Sequence, residues 1–249
     1  MPYLDETKQL GCLETFGPEA FHGDSEWPSA ICDFILALAV ASNDLRDIFM
    51  AKVLLKEERD VNEADELINY RAISGGITIT LLRFQVAVIH ELLNLVEAHD
   101  HIIDSVEFQR IYSQLDKRSK KSWDRICAAS KEKRTTGSIG KALLLCRNKV
   151  GFHYDAGQIS RGYKNRFLVS DDKGPPVLSR GNSMRARRFY FADAAIEKYI
   201  SELAESPEIE KVFLGTGQLI EDINRALYDV ITYFINLRGF GYREYRHKE

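Results

Sequence analysis

The densest group of side chains that could do chemistry lies at residues 146–155, Cys-Arg-Asn-Lys-Val-Gly-Phe-His-Tyr-Asp. Apolar periodicity places this stretch at the end of a helix. At about 100° per residue, Arg147 and His153 lie roughly 120° apart around the axis, with Val150 between them. Polar groups that flank a buried seam are costly to desolvate unless they are paired, so both should meet a partner or a ligand. A histidine can take or deliver a proton near neutral pH, and an arginine presents a planar fork of donors.

The same stretch resembles the HEPN superfamily. Arg147-Asn-Lys-Val-Gly-Phe-His153 fits the R-x(4–6)-H motif of HEPN domains with five intervening residues, and Asn148 is a polar residue directly after the arginine, as in many HEPN proteins. The resemblance implies a helical bundle that dimerises, so that the motifs of two protomers form one cleft. It also implies a metal-independent endoribonuclease that needs no cofactor.

The resemblance assigns roles to the residues of the motif. His153 would act as general base on an RNA 2′-hydroxyl, or as general acid toward the leaving 5′-oxygen. Arg147 would hold the phosphate and stabilise its developing charge. Asn148 would orient the histidine or the phosphate by hydrogen bonding, and Tyr154 would stack on a base or donate to a phosphate.

The middle of the chain is strongly basic. Residues 117–188 contain 19 Lys and Arg against 5 Asp and Glu, although the whole chain has a net charge of −3. This asymmetry suggests an anionic partner, and the alternative is that the acidic and basic blocks face each other within the fold or across a dimer. In the ribonuclease interpretation, sequence-independent attraction to the RNA backbone would come from Lys149, Arg185, Arg187 and Arg188.

Two histidine-containing stretches could suggest a metal. His90-Glu91-Leu-Leu-Asn94 begins like the HExxH zinc motif, but Asn94 stands where the second histidine ligand is required. His99-Asp100-His101 is interpreted as a solvated helix end, because three adjacent residues cannot all face one ion without special backbone geometry. The prediction is therefore that the protein has no metal site.

The elements around the motif are predicted to be helices. Apolar residues at helical spacing indicate helices from about 29 to 53, with Phe49 on the buried stripe, and over about 62–98, 104–115, 119–132, 138–154, 192–204 and 208–237. Gly75-Gly76 and the β-branched run 77–80 are expected to kink or interrupt the second helix. The predicted fold class is all-α, a helical bundle of HEPN type that forms a single domain over residues 1–249.

Two segments lack helical periodicity. Residues 1–27 are expected to form an irregular N-terminal arm. Residues 157–191 are rich in Gly, Pro, Ser and Arg, and predict a basic insertion that forms a loop or a β-hairpin, with short extended runs beginning at Arg166 and Arg188.

Composition bounds the class of protein and its compartment. Hydrophobic residues make up 45% and charged residues 29% of the chain, which is typical of a globular protein. The longest apolar run, 34–41, is far shorter than the roughly 20 residues that span a bilayer, and no secretory signal pattern is present at the N-terminus. The four cysteines are scattered, as expected of thiols in a reducing compartment. We expect a cytoplasmic protein without a membrane partner.

Three functions are compatible with these patterns. The first is a HEPN ribonuclease of stress response, toxin–antitoxin or phage-defence type, which acts on RNA as a homodimer and is restrained by an antitoxin or regulatory protein. The second is a non-catalytic HEPN-like module that binds RNA, a nucleotide or a protein. The third is a helical oligomerisation or adaptor domain, in which residues 147–155 only tie helices together.

Overall fold

The computed structural model describes residues 14–61, 68–132, 156–169, 176, 178–180, 187–204, 207–239 and 243–244. Within these ranges the chain forms eight α-helices: α1 (Ser29–Val61), α2 (Ile68–Ala98), α3 (Asp100–Ile103), α4 (Val106–Gln114), α5 (Lys117–Lys131), α6 (Ala156–Lys164), α7 (Tyr190–Ala204) and α8 (Pro207–Leu237). A 3-10 turn at Pro18–Phe21 precedes α1, and a π-helical turn at Asn165–Val169 follows α6. The predicted all-α fold class is confirmed.

Strands are few and very short in the described residues. β1 (Glu14–Thr15) pairs antiparallel with β4 (Arg243–Glu244), and β2 (Ser179–Arg180) pairs antiparallel with β3 (Arg187–Arg188). Each strand has two residues, so these pairs join neighbouring segments and form no separate sheet layer.

The predicted interruption of α2 is wrong. α2 continues through Gly75-Gly76 and the β-branched run, and the Thr80 hydroxyl donates to the Gly76 carbonyl oxygen at 3.0 Å. β-Branched residues lower helix propensity by only a few tenths of a kcal/mol each, which packing readily outweighs. The run that begins at Arg166 is not extended either, because the π-helical turn contains it through Val169. Gly157, which was expected to start a loop, lies inside α6.

The chain divides into two units. Unit 1 comprises Met1–Ser42, Ala98–Arg125 and Glu221–Glu249, and unit 2 comprises Asn43–Glu97 and Ile126–Ile220. The helices α1, α5 and α8 therefore contribute residues to both units, and α2 reaches unit 1 only with Ala98.

The core of unit 1 is aromatic and is built from helical stripes. α1 buries Ile31, Phe34, Ile35 and Leu38, and α8 buries Ile223, Leu227, Val230 and Phe234, at the predicted spacings. The Trp27 ring meets Phe234 edge-on with centroids 5.4 Å apart, and Phe108 lies 5.1 Å from Trp123. Both tryptophans are almost fully buried. Large apolar area removed from water in this way is the main stabilising term of the unit.

The end of α8 holds the segment that leads into α1. The Arg238 side chain is 5% exposed and donates to the carbonyl oxygens of Glu19 (3.0 Å), Ala20 (3.1 Å) and His22 (2.6 Å), as well as to Asp24 Oδ2 (2.5 Å). Its hydrogen bond to Asp24 is the largest cause that lowers the pKa of that carboxyl. The expected irregular arm is thus anchored to the core over its described part.

Unit 1 also contains a buried carboxylate. Asp222 of α8 is 2% exposed and accepts hydrogen bonds from Ser122 Oγ (2.7 Å) and from Arg125 Nη1 (2.8 Å to Oδ2 and 3.0 Å to Oδ1). Arg125 itself is 42% exposed. This pair ties α5 to α8, and only one of its two charges is accessible to water.

In unit 2, the second part of α1 and the helix α2 supply long apolar faces. α2 buries Val86, Ala87, Ile89, Leu92, Leu93 and Val96, and the half-buried Lys52 of α1 donates through Nζ to Gln85 Oε1. Burial lowers the pKa of Lys52. Phe49 was predicted on the buried stripe of α1 but is 56% exposed, because burial depends on what packs opposite each turn.

One segment among the described residues, Gly76–Ala98, is long and apolar enough to cross a bilayer, and 39% of its most apolar window is buried inside the protein. Length and composition are weak evidence for a membrane span, since the core helix of a soluble protein meets the same two criteria.

Candidate functional site

The predicted catalytic motif lies outside the described residues. Arg147, Asn148, Lys149, His153 and Tyr154 all fall within 133–155. The described chain resumes at Ala156 with α6, directly after the motif. The described surface that follows the motif most closely in the sequence is built from α6 and from the elements packed on it.

The basic cluster is described only in part. Arg185 lies outside the described residues, whereas Arg187 and Arg188 form β3. The pairing of Arg187 with Arg180 and of Arg188 with Ser179 fixes the backbone register of this strand, which runs directly into α7.

The helices α6 and α7 approach each other very closely. A Cβ atom placed on Gly162 would lie 2.1 Å from the carbonyl oxygen of Ala195 and 3.1 Å from the Cβ of Tyr199. A glycine is therefore required at this crossing, and its lack of a side chain lets the two backbones meet.

Polar contacts reinforce the same crossing. The half-buried carboxylate of Glu202 on α7 accepts a hydrogen bond from Asn165 Nδ2 at 2.8 Å. Its oxygens also lie 3.5 Å from Arg161 Nε and 3.8 Å from Lys198 Nζ. One acidic group thus links α6, the π-helical turn and α7 and fixes these elements to one another.

An aromatic cluster lies beside this crossing. The Tyr163 ring is 4.9 Å from Phe167 and 6.2 Å from Phe191, which it meets edge-on, and Phe189 is 5.8 Å from Phe191. The Arg166 guanidinium lies 6.0 Å from the Phe167 ring centroid. Phe189 is 63% exposed, so the cluster reaches the surface.

A groove of about 410 Å³ runs between the two helices. It is lined by Ala156, Ile159, Ser160 and Tyr163 of α6 and by Phe191, Ala192 and Ala195 of α7. The α6 residues recur at intervals of three and four, so they occupy a single helical face. Ser160 and Tyr163 are the two lining residues that carry side-chain hydroxyls, and the other five are apolar. Such a groove suits a flat, mostly apolar group.

The α6 side of the groove is positively charged. Residues 156–169 contain Arg161, Lys164 and Arg166 and no acidic residue. α7 carries Lys198 together with Asp193, Glu197 and Glu202. The cations that favour an anionic partner therefore lie on α6 and the π-helical turn.

The groove was not predicted from the sequence, because residues 157–191 were interpreted as a loop-like insertion. A weak signal was present. Tyr163 and Phe167 are four residues apart, as on one helix face, and Phe189 and Phe191 flank a residue that begins a helix. Only the packing of α6 on α7 shows that these rings form one cluster.

The residues of the near-zinc stretch contact one another within α2. His90 is buried on α2, with Nδ1 at 3.2 Å from Asn94 Nδ2 and 3.4 Å from Glu91 Oε1. These three residues contact one another on a single helix. Across the described residues, no group of three or more His, Cys, Asp or Glu side chains is arranged to hold a metal ion.

Comparison with known proteins assigns no family, since no family model, no curated protein and no solved structure matches the chain significantly.

Proposed function

We propose that this protein is a metal-independent endoribonuclease of HEPN type, which acts through a composite site in a homodimer. The observation that carries the proposal is the sequence Arg147-Asn148-Lys-Val-Gly-Phe-His153, in which a phosphate-binding group and a proton-transfer group have the HEPN spacing. The all-α fold supports it, because HEPN domains are helical bundles.

The groove that begins directly after the motif in the sequence supports RNA as the substrate. His153 is only three residues before Ala156, which is the first residue to line the groove. Aromatic rings with neighbouring cations are the features with which proteins bind single-stranded RNA.

The proposed reaction is an intramolecular transesterification, in which the 2′-hydroxyl of a ribose attacks the adjacent phosphodiester. His153 of one protomer takes the proton from the 2′-oxygen, which attacks phosphorus, and the bond from phosphorus to the 5′-oxygen breaks. The partner's copy of the same histidine delivers a proton to the leaving 5′-oxygen. Arg147 stabilises the extra negative charge on the phosphate, and Asn148 orients the histidine or the phosphate. The products are a 2′,3′-cyclic phosphate and a 5′-hydroxyl.

The test is cleavage of a mixed single-stranded RNA in EDTA by the full chain and its variants. Wild type should cleave and leave 2′,3′-cyclic phosphate ends, whereas His153→Ala and Arg147→Ala should lose activity by about 10²-fold or more. Matched controls are His101→Ala and Arg46→Ala, which change the same residue types at exposed positions and should retain activity. Cleavage that survives in both motif variants would refute the proposal, and so would cleavage that EDTA abolishes.

The alternative is a non-catalytic RNA-binding module of the same fold. The observation that favours it is the cluster of aromatic rings and cations on α6 and the π-helical turn, which could bind RNA without the motif. This function predicts binding without turnover and an affinity that falls as salt is raised. Replacing Arg185, Arg187 and Arg188 by glutamine should lower the slope of log affinity against log salt, and an unchanged slope would count against it.

Stress response, toxin–antitoxin or phage defence is the proposed biological setting of the nuclease, with an antitoxin or regulatory protein as the partner that restrains it. Co-expression provides the test. This setting predicts that expression of the wild-type chain stops growth of the cells and that expression of His153→Ala does not. Equal growth with both would contradict it.

A further inference from the structure

The groove between α6 and α7 has the size and lining of a site for one aromatic heterocycle. An enclosed apolar cavity of about 150 Å³ already holds a benzene ring, so about 410 Å³ is ample for a purine. Five of its seven lining residues are apolar, and Tyr163 and Phe191 supply aromatic rings against which a base can stack.

The charges on the same helix identify what the heterocycle is attached to. Arg161 and Lys164 lie within one turn of the lining residues Ser160 and Tyr163, and Arg166 follows in the π-helical turn. Arg161 is 65% exposed although its Nε is near Glu202, and Arg166 lies over a ring of the aromatic cluster. A row of cations beside a flat apolar groove complements a phosphate backbone that carries unpaired bases.

We propose that this groove binds an unpaired base of single-stranded RNA by stacking, while the cations of α6 and the π-helical turn hold the adjoining phosphates. The inference rests on the proposed function in that RNA is the ligand. It adds a base-binding subsite whose residues belong to α6, the π-helical turn and the start of α7 and differ from those of the cleavage motif.

The experiment fills the groove and measures binding of intact RNA. All proteins carry His153→Ala so that the RNA is not cut. The test variant is Ala156→Leu with Ser160→Leu, two exposed positions that line the groove. The matched control is Ala128→Leu with Ser201→Leu, which makes the same two changes at exposed helix positions that do not line it.

The probes are a fluorescein-labelled oligoadenylate of about 12 nucleotides, within the site sizes usual for single-strand binding, and an abasic oligomer of the same length. Kd is measured by anisotropy at one fixed salt concentration. Stacking of one base predicts that the test variant binds oligoadenylate about 5- to 150-fold more weakly than the control variant does. The abasic oligomer should bind both variants equally weakly, because it keeps only the phosphate contacts.

Several outcomes would overturn the inference. Equal Kd values for the test and control variants would do so, and so would an abasic oligomer bound as tightly as oligoadenylate. A test variant that keeps its RNA affinity but changes its sedimentation coefficient would assign the groove to a contact between protein copies instead.

The outcome is separable from that of the proposed function. Cleavage that depends on His153 but not on the groove positions would support the nuclease proposal and contradict the subsite. If the wild-type protein cleaves nothing but RNA binding depends on the groove positions, the subsite is supported and the nuclease proposal is contradicted. Absence of both binding and cleavage, with circular dichroism showing folded protein, overturns both.

Discussion

The ion pair between Arg125 and Asp222 should respond very unequally to substitution of its two members. Asp222 is 2% exposed, whereas Arg125 is 42% exposed. Removing the arginine leaves a buried carboxylate that still accepts a hydrogen bond from Ser122, whose Oγ lies 2.7 Å from Oδ1. Removing the negative charge instead leaves a guanidinium that water already reaches. The exposed residue should therefore be the more costly one to replace.

The magnitudes follow from this difference in exposure. Removing one partner of a buried ion pair costs roughly 3–5 kcal/mol, and the surviving Ser122 hydrogen bond places Arg125→Met near the lower end, at about 3 kcal/mol. Asp222→Asn keeps an oxygen acceptor for Ser122 and loses a charge-assisted interaction with a half-exposed arginine, which places its cost near the low end for such bonds, at about 1.5 kcal/mol. The double variant Arg125→Met/Asp222→Asn has no buried charge, so it should be more stable than Arg125→Met alone.

Tryptophan fluorescence during urea unfolding measures these changes in the stability of unit 1. The chain has two tryptophans, Trp27 and Trp123, and both lie in unit 1 with Arg125 and Asp222. The three variants should differ in the midpoint of unfolding and share one m-value. If Asp222→Asn costs as much as Arg125→Met, or if the double variant is less stable than Arg125→Met, the uncompensated buried charge of Asp222 does not set the cost.

Three further perturbations test other contacts. Arg238→Lys keeps the charge but cannot make all of the hydrogen bonds of the guanidinium, so the free energy of unfolding of unit 1 should fall by about 2–4 kcal/mol in the same fluorescence assay. A loss below about 1 kcal/mol would contradict the anchoring role of Arg238. The lowered pKa of Asp24 means that its carboxylate stabilises the folded state above the ordinary value of 3.8 and that this stabilisation disappears as pH falls through the folded pKa. Asp24→Asn should therefore show a shallower loss of stability in acid than wild type, and an identical pH profile would refute the assignment. Gly162→Ala should destabilise the α6–α7 crossing by about 1–3 kcal/mol, because its Cβ would lie 2.1 Å from the Ala195 oxygen. The control Gly217→Ala, whose Cβ meets nothing within 4 Å, should be neutral or stabilising by up to about 1 kcal/mol in thermal unfolding by circular dichroism. Equal effects of the two glycine substitutions would show that the crossing tolerates a side chain.

Helix locations were predictable because amphipathic periodicity is a local property. The stripe Ile31, Phe34, Ile35, Leu38 and the stripe that ends at Phe234 repeat at helical intervals and are buried as expected. The start of α1 at Ser29 follows from Pro28 directly before it, since proline is compatible with the beginning of a helix but not with its interior.

Errors arose where local propensity competed with packing. The β-branched run after Gly76 has poor helix propensity, yet α2 continues through it because the turns beyond it bury a long apolar face. Residues 157–169 contain two glycines and several polar residues, which predicted a loop. In the structure Gly162 is the residue that lets α6 lie against α7, so a helix-weakening residue serves a helical contact.

The sequence alone determined the all-α class, the position of most helices and the chemical content of the motif at Arg147–His153, since each depends on residue type and short-range spacing. The tertiary structure decided which side chains from distant positions share a surface. Tyr163 and Phe191 are 28 residues apart and line one groove. Arg125 and Asp222 are separated by 97 residues and form one ion pair. Periodicity specifies which face of a helix is apolar, but the partner of that face is set by packing across the whole fold, and no local pattern encodes it.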